Sequence, residues 1–170
     1  IAAYGHMSYK INEKVSINGG MRIDRENRKL TIGSEYEKQP NPAFPMMADT
    51  TGKSSYGAFS PKLGIQFQPT AQQLMYLSFS RGFRSGGLTS ISSDPSQVPL
   101  AAYNPEFSNM FEAGIKGKDK NNKFRYAIAA FYNKVIDIQT PFLVLPDAVT
   151  IIKNAGEMNA WGLEAEMEVK

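Results

Sequence analysis

Hydrophobic and polar residues alternate along two adjoining segments of the chain, 54–68 and 73–83. Leu77 and Ser78 illustrate the pattern in the second segment, where apolar side chains recur at nearly every second position. A period of two residues predicts β-strands, because successive side chains leave opposite sides of an extended backbone. Pro69 cannot donate a ladder hydrogen bond, so the chain must reverse its direction close to that residue. The pattern therefore predicts a hairpin with one apolar face and one polar face.

Similar alternation recurs through the rest of the chain and predicts an all-β fold, an antiparallel up-and-down meander. The connections are alternately short and long, with long loops predicted at about 27–53, 84–105 and 140–149. Most segments exceed the roughly 5–6 residues of an ordinary strand and reach the roughly 9–11 residues that a tilted transmembrane strand requires. Short turns at one end and long loops at the other are typical of transmembrane barrels. We predict seven strands, at about residues 1–11, 14–26, 54–68, 73–83, 106–117, 123–139 and 150–170.

The two faces of these strands differ in chemistry, and we interpret them as a lipid-facing side and a lumen-facing side. A wet interior opposite hydrocarbon explains the alternation. A soluble sandwich also exposes polar residues, so strand length and loop asymmetry decide between the two. The predicted lipid-facing residues are Leu63, Ile65, Phe67, Met75, Leu77, Phe79, Phe111, Ile115, Tyr126, Ile128, Trp161, Leu163 and Met167. The predicted polar wall of the lumen consists of Arg22, Lys62, Glu112, Lys116, Arg125, Glu164 and Glu166.

Composition narrows the possible chemistry. The chain has no cysteine and one histidine, His6, which excludes disulfides, cysteine-based metal sites and multi-histidine metal sites. The formal net charge is +3 and the basic residues are scattered, so nucleic-acid binding is not predicted. No stretch approaches the roughly 20 apolar residues of a membrane-spanning helix. The sequence predicts no metal site and no cofactor.

Catalytic motifs are weak. The segment SRGFRSGG at 80–87 superficially resembles a phosphate-binding loop, but it lacks the Gly-Lys-Ser/Thr ending and no helix follows. Glu112 and Glu164 share the polar face and could form a catalytic pair, as in glycoside hydrolysis, although a solvated wall is the better interpretation. No Ser-His-acid arrangement is supported. We predict no catalytic residue. An enzyme, a soluble β-sandwich binding module and a passive barrel without energy coupling remain the alternatives.

Four motifs in order carry a family resemblance: YLSFSRGFRSGG at 76–87, YNPEFSNMFEAGIKG at 103–117, FRYAIAAFYNKVIDIQT at 124–140 and NAGEMNAWGLEAEME at 154–168. Together they resemble consecutive barrel segments of TonB-dependent outer-membrane receptors. The resemblance implies about seven strands of a 22-stranded, plugged barrel in the outer membrane of a Gram-negative bacterium. It implies membrane lipid, a plug domain and TonB as partners, and we expect the plug to lie outside residues 1–170.

The resemblance further implies TonB-coupled uptake of a bulky scarce nutrient, such as an iron-siderophore, through loops that capture the ligand. Exposure and chemistry make five loop residues candidates for contact with a metal chelate or another small molecule. One residue conflicts with the pattern, because Arg81 has the lipid-facing parity; we expect it at the extracellular rim, snorkelling or displaced by a bulge. The five ligand candidates are Arg84, Tyr103, Phe44, Met46 and Met47.

Overall fold

Strands dominate the chain, which a computed structural model describes at residues 1–33, 49–89, 100–145 and 149–170. Alternating side chains and sparse helix-forming periodicity favour this outcome, since extended backbone places successive side chains on opposite faces. The strands are β1 (Ala2–Lys10), β2 (Val15–Ile32), β3 (Thr50–Thr70), β4 (Gln73–Arg84), β5 (Gly87–Leu88), β6 (Ala102–Tyr103), β7 (Glu106–Lys118), β8 (Phe124–Ile136), β9 (Gln139–Val144), β10 (Val149–Asn154) and β11 (Glu157–Val169).

One sheet contains the long strands. It has seven strands in the order β1-β2-β3-β4-β7-β8-β11, and every neighbouring pair is antiparallel. This confirms the predicted antiparallel meander. Two further pairs form: β5 with β6 lies inside the predicted 84–105 loop, whereas β9 with β10 combines the predicted 140–149 loop with the first part of the predicted 150–170 strand. The described residues form no helix that is long and apolar enough to cross a bilayer.

The β2–β3 pair is longer than predicted. Residues 27–32 and 50–53 were expected in a loop, but they continue the ladder from Asn27–Ser55 to Ile32–Thr50. Polar pairs link the two strands here, with 2.9 Å between the hydroxyl oxygens of Thr31 and Thr51. Asn27, Arg28 and Lys29 are consecutive polar residues, and Leu30 and Ile32 after them have the opposite parity to the apolar residues earlier in β2. The sequence pattern therefore did not extend the strands, although backbone pairing continues.

The last two predicted strands are each divided by a bend. The prediction of one strand at 123–139 was wrong, because β8 ends at Ile136 and β9 begins at Gln139. Likewise the 150–170 segment is split between β10 and β11. Asp137 has φ 58° and Gly156 has φ 65°, so the backbone turns through the left-handed region on both sides of the bend. The predicted 140–149 loop therefore contains nearly all of β9, and β10 takes the start of the predicted last strand.

The seven-stranded sheet has little enclosed core. No described side chain is fully buried, and the buried apolar residues of the described part are Ala58, Leu100, Val135 and Ile151. By contrast, Leu77 is 54% exposed, Ile128 43% and Leu163 81%. Since a soluble domain encloses its large apolar side chains, this exposure disfavours the soluble β-sandwich.

Candidate functional site: the polar face and the loop ends

The sheet register separates the predicted residues into two sets. Cross-strand partners share a face, and Leu63, Phe79 and Phe111 follow one another across β3, β4 and β7. Ser80, the neighbour of Phe79, pairs instead with Lys62 and Met110 on the opposite side. All residues predicted to face lipid lie on the first side, which we call the apolar face. All residues predicted to line the lumen lie on the second, which we call the polar face.

At the centre of the polar face, Tyr76 connects β4 to β7. Its hydroxyl donates a hydrogen bond of 2.5 Å to the Glu112 carboxylate, and the Lys116 ammonium lies 5.5 Å from the centroid of its ring. Glu112 is therefore occupied as an acceptor, and a cation lies nearby. In the part of the chain that the structure describes, no three His, Cys, Asp or Glu side chains gather as they would around a metal ion. Tyr76, Glu112 and Lys116 therefore present hydrogen-bonding groups and charges on the polar face.

Glycines let large rings lie across this sheet. A Cβ atom placed on Gly114 would come within 2.6 Å of the Tyr76 ring, and one on Gly162 within 2.9 Å of the Phe131 ring. Each glycine is the direct cross-strand partner of its ring. Because glycine has no Cβ, the ring covers the neighbouring strand at these positions. Glycine placement therefore determines how the bulky residues of the polar face pack.

Ion pairs flank the polar face at both ends. Near the short turns, Arg125 lies 3.5 Å from Glu168 on the adjacent strand. Further along the sheet, Arg22 binds the Asp24 carboxylate at 2.8 Å, and Asp24 is 8% exposed. Such partly exposed pairs contribute little to stability. They do distribute both signs of charge along this face.

A polar row interrupts the apolar face towards the long loops. Arg81 and Asn109 are cross-strand partners, and Asn109 pairs in turn with Lys134. A bulge, one of the alternatives for Arg81, does not occur in the β4–β7 pair, whose register is continuous from Gln73 to Arg84. The Arg81 guanidinium carbon lies 4.3 Å from the centroid of the Phe107 ring, a cation–π contact. Phe83, Phe107 and Ile136 form one more apolar row beyond it on the same face, so Arg81 lies within the apolar face, close to its loop end.

A set of polar contacts joins the loop ends of four strands. The Gln139 side-chain amide donates to the carbonyls of Ser85 at 2.9 Å and Asn104 at 3.2 Å. Its backbone N–H donates to a Glu106 carboxylate oxygen at 2.7 Å. The Asn154 side-chain amide donates to the Asn104 carbonyl at 2.9 Å. We call Glu106, Gln139 and Asn154 the loop clasp.

Sequence reasoning did not identify the loop clasp as a unit. Its members belong to three of the quoted motifs, in the Pro-Glu, Asp-Ile-Gln and Asn-Ala-Gly segments. Those recurrent polar residues at strand ends were the available signal. The sequence pattern gave no sign of the bend that brings Gln139 and Asn154 close to each other.

The structure places the loop candidates differently from one another. Arg84 is exposed at the end of β4, with polar-face parity, and makes no ion pair within the described residues. Tyr103 is half-buried opposite Gly87, where its ring occupies the space that a Cβ would need. Phe44, Met46 and Met47 lie outside the described residues.

Comparison with known proteins decides what this sheet belongs to. A family model described as "TonB dependent receptor-like, beta-barrel" matches residues 1–170. The chain belongs to the TonB-dependent receptor β-barrel family. This confirms the resemblance carried by the four motifs, and the family sits in the outer membrane of Gram-negative bacteria.

Individual relatives of this chain are also receptors of this kind. The metal-pseudopaline receptor CntO of Pseudomonas aeruginosa (strain UCBPP-PA14) is 24% identical over 157 residues, which cover 92% of this chain and 20% of CntO. The ferric yersiniabactin uptake receptor FyuA of Yersinia pestis superposes with a TM-score of 0.76 at 20% identity, covering 98% of this chain and 23% of FyuA. The ferric-catecholate import receptor Fiu of E. coli K12 gives a TM-score of 0.67 at 14% identity, over 98% of this chain and 24% of Fiu.

The chain thus spans about a fifth to a quarter of the length of these receptors. At these identities, the two structural likenesses establish the fold. They agree with the sheet register in making the receptor chain a consecutive portion of a β-barrel.

Proposed function

We propose that this chain forms part of the wall and the loop bases of an outer-membrane receptor for TonB-coupled uptake. The cargo would be a bulky scarce nutrient, such as an iron-siderophore or another metal chelate. The chain supplies a surface for lipid, a surface for the lumen and loop ends for the ligand, with no catalytic step. The plug domain and TonB, expected outside residues 1–170, would complete the transport cycle.

The observation that carries this proposal is the two-sided sheet of a TonB-dependent receptor chain. Trp161 and Leu163 are 80% and 81% exposed on the apolar face, which suits contact with outer-membrane lipid. The polar face carries Lys62, Glu112 and Lys116, which suit water and a hydrophilic plug. Because lipid offers no hydrogen bonds, the ladder between strands satisfies the backbone across the hydrocarbon.

The class of cargo is supported by the relatives. The names of CntO, FyuA and Fiu refer to metal-pseudopaline, ferric yersiniabactin and ferric catecholate, which are metal complexes of small organic ligands. Family membership supports energy coupling through TonB.

Uptake in cells tests the proposal. The complete receptor, expressed in a Gram-negative host that lacks its own chelate receptors, should accumulate radiolabelled ferric chelates only when TonB is present. Deleting TonB should abolish accumulation while leaving binding at the surface intact. Uptake that persists without TonB would identify a passive barrel, and neither uptake nor binding across a panel of ferric chelates would reject the cargo class.

Arg84 is the described residue that we propose as a contact for an anionic ligand. It is exposed, lies at the loop end of the polar face and is free of ion pairs within the described ranges. Removing one exposed charge contact costs up to about 1 kcal/mol, or roughly five-fold in affinity. Tyr103, Phe44, Met46 and Met47 remain predicted contacts for stacking on a chelate.

The test compares two chelates and two variants. Arg84→Gln should weaken binding of a trianionic ferric tris-catecholate about five-fold, with little effect on a neutral ferric trihydroxamate. Arg125→Gln, on the same face but near the short turns, is the matched control and should leave both affinities unchanged. Equal losses for both chelates would exclude a charge contact at Arg84.

A further inference from the structure

The β9–β10 hairpin is attached to the main sheet through a bend. Two backbone hydrogen bonds cross it, from Ala155 N to Ile138 O at 2.8 Å and from Ile138 N to Gly156 O at 3.4 Å. The left-handed residues Asp137 and Gly156 stand on opposite strands at this point. Since the regular ladder is interrupted, the bend by itself is a place where the hairpin could change its angle to the sheet.

The loop clasp bridges this bend. Gln139 is 8% exposed, and its amide nitrogen lies 3.4 Å from the Arg84 carbonyl in addition to its bonds to Ser85 and Asn104. These acceptors come from the end of β4 and the approach to β7, so one side chain ties the hairpin to two other segments. A buried amide that loses its partners is costly, which favours one orientation of the hairpin.

Asn154 fixes the other strand of the hairpin. Its amide nitrogen donates to the Asp137 carbonyl at 2.8 Å, inside the bend. Its oxygen accepts from the Asn104 backbone N–H at 2.6 Å. Gln139 and Asn154 are cross-strand partners at the base of the hairpin. Both strands are therefore anchored to the segment before β7.

The hairpin carries apolar side chains beyond the sheet. Phe142 is 41% exposed, Leu143 62% and Leu145 73%. Their direction relative to Arg84 depends on the angle of the bend, because Arg84 lies on the segment to which the clasp is tied. A fixed angle reduces the ordering cost when a ligand is bound.

We propose that Gln139 and Asn154 are positioning residues, which hold the β9–β10 hairpin at one angle above the loop end of β4 and prepare it for ligand capture. The capture role rests on the proposed function. The orientation of the hairpin does not depend on that function and can be measured without any ligand.

Distances between spin labels provide that measurement in the complete receptor reconstituted in lipid. One label is attached at Leu143→Cys on the hairpin and the other at Lys53→Cys on β3. With the clasp intact we expect a single narrow distance distribution. Gln139→Met keeps the side-chain length but removes the donor, and it should broaden the distribution; Gln139→Glu, which places a carboxylate among carbonyls, should broaden it further.

Two matched variants distinguish positioning from general damage. Glu106→Gln retains an oxygen that can accept the Gln139 backbone N–H, so it should preserve the narrow distribution. Gln66→Met removes a glutamine from the polar face near a short turn and should also preserve it. Asn154→Ala, at a less buried position, should broaden the distribution even if Gln139 variants fail to assemble. An unchanged distribution in folded Gln139→Met or Asn154→Ala receptor would overturn the proposal.

Ligand binding supplies the second measurement, with ferric tris-catecholate as the probe. If Gln139→Met leaves the competent angle populated one time in ten, affinity should fall about ten-fold. Equal affinity of Gln139→Met and the unaltered receptor, despite a broadened distribution, would overturn the capture role. Failure of the unaltered receptor to bind any chelate would instead count against the proposed cargo, and the distance distributions would still decide the role of the clasp.

Discussion

The half of the sheet near the short turns and the end near the long loops are constructed in different ways. Near the turns, large apolar residues recur at nearly every second position, and pairs such as Ile65 with Leu77 repeat across the strands. Near the loops, alternation fades and specific polar contacts, including the loop clasp, fix the backbone. The first half requires only a residue class at each position, whereas the second requires particular donors and acceptors. The two ends should therefore respond differently to substitution.

The largest loss of stability is expected from a substitution that breaks the alternation of apolar and polar residues. Leu77→Arg places a charge in the middle of the apolar face and should destabilise the complete receptor in a bilayer by about 2–4 kcal/mol. Ser78→Arg, the neighbouring residue on the polar face, is the matched control and should change stability by less than about 1 kcal/mol. Denaturant unfolding in lipid vesicles measures both. Equal losses would mean that the two faces do not meet different solvents.

A smaller effect should follow from overpacking a glycine. Gly114→Ala puts a Cβ against the Tyr76 ring and should cost about 1–3 kcal/mol. Gly82→Ala, on the same face, meets no atom within 4 Å and should be neutral or slightly stabilising. The same unfolding experiment compares the two. Adding Tyr76→Ala to Gly114→Ala should recover part of the loss, because the clash is removed; no recovery would show that the ring is not its cause.

The smallest effect concerns a short turn outside the membrane-spanning segments. The Phe124 backbone N–H donates to Asp119 at 2.9 Å, and this bond with other backbone donors lowers the pKa of the Asp119 carboxyl below 3.8. A lowered folded-state pKa means that the stabilisation is fully present above pH 3.8 and is lost as pH falls through the folded pKa.

Unfolding of the receptor and of Asp119→Asn at several pH values tests this. The difference in stability should be small and constant from neutral pH down to about pH 5, and should shrink in more acidic solution. A difference that grows on acidification would contradict the assigned sign.

The sequence predicted the part of the fold that depends on periodicity. Leu63, Leu77 and Leu163 were assigned to one side because side chains of an extended strand alternate between its two faces. The bend at Asp137 and Gly156 was missed, since a left-handed residue leaves no trace in the hydrophobic pattern. The continuation of β2 to Ile32 was missed because a polar run precedes it and because Leu30 and Ile32 have the opposite parity to the apolar residues earlier in the strand.

The candidate site was predictable from the sequence only where strand parity determines which face a residue occupies. The polar wall followed from parity alone, so Glu112 and Lys116 could be placed from the sequence. The Gln139 contacts could not, because they depend on which carbonyls a bent backbone presents. Arg81 was expected at the extracellular rim, snorkelling or displaced by a bulge; it lies near the end of β4 in a β4–β7 ladder without a bulge, and the register places it diagonally opposite Phe107.

The rings of Tyr76 and Phe131 lie across the glycines of neighbouring strands, and this affects more than packing. In the proposed transport route, a ring lying flat intrudes into the bore only by its thickness, whereas an upright ring would intrude by its full length. The glycines at 114 and 162 would then set the clearance available to a moving plug or a wide cargo. An alanine at either position would lift the ring and narrow the bore at that level.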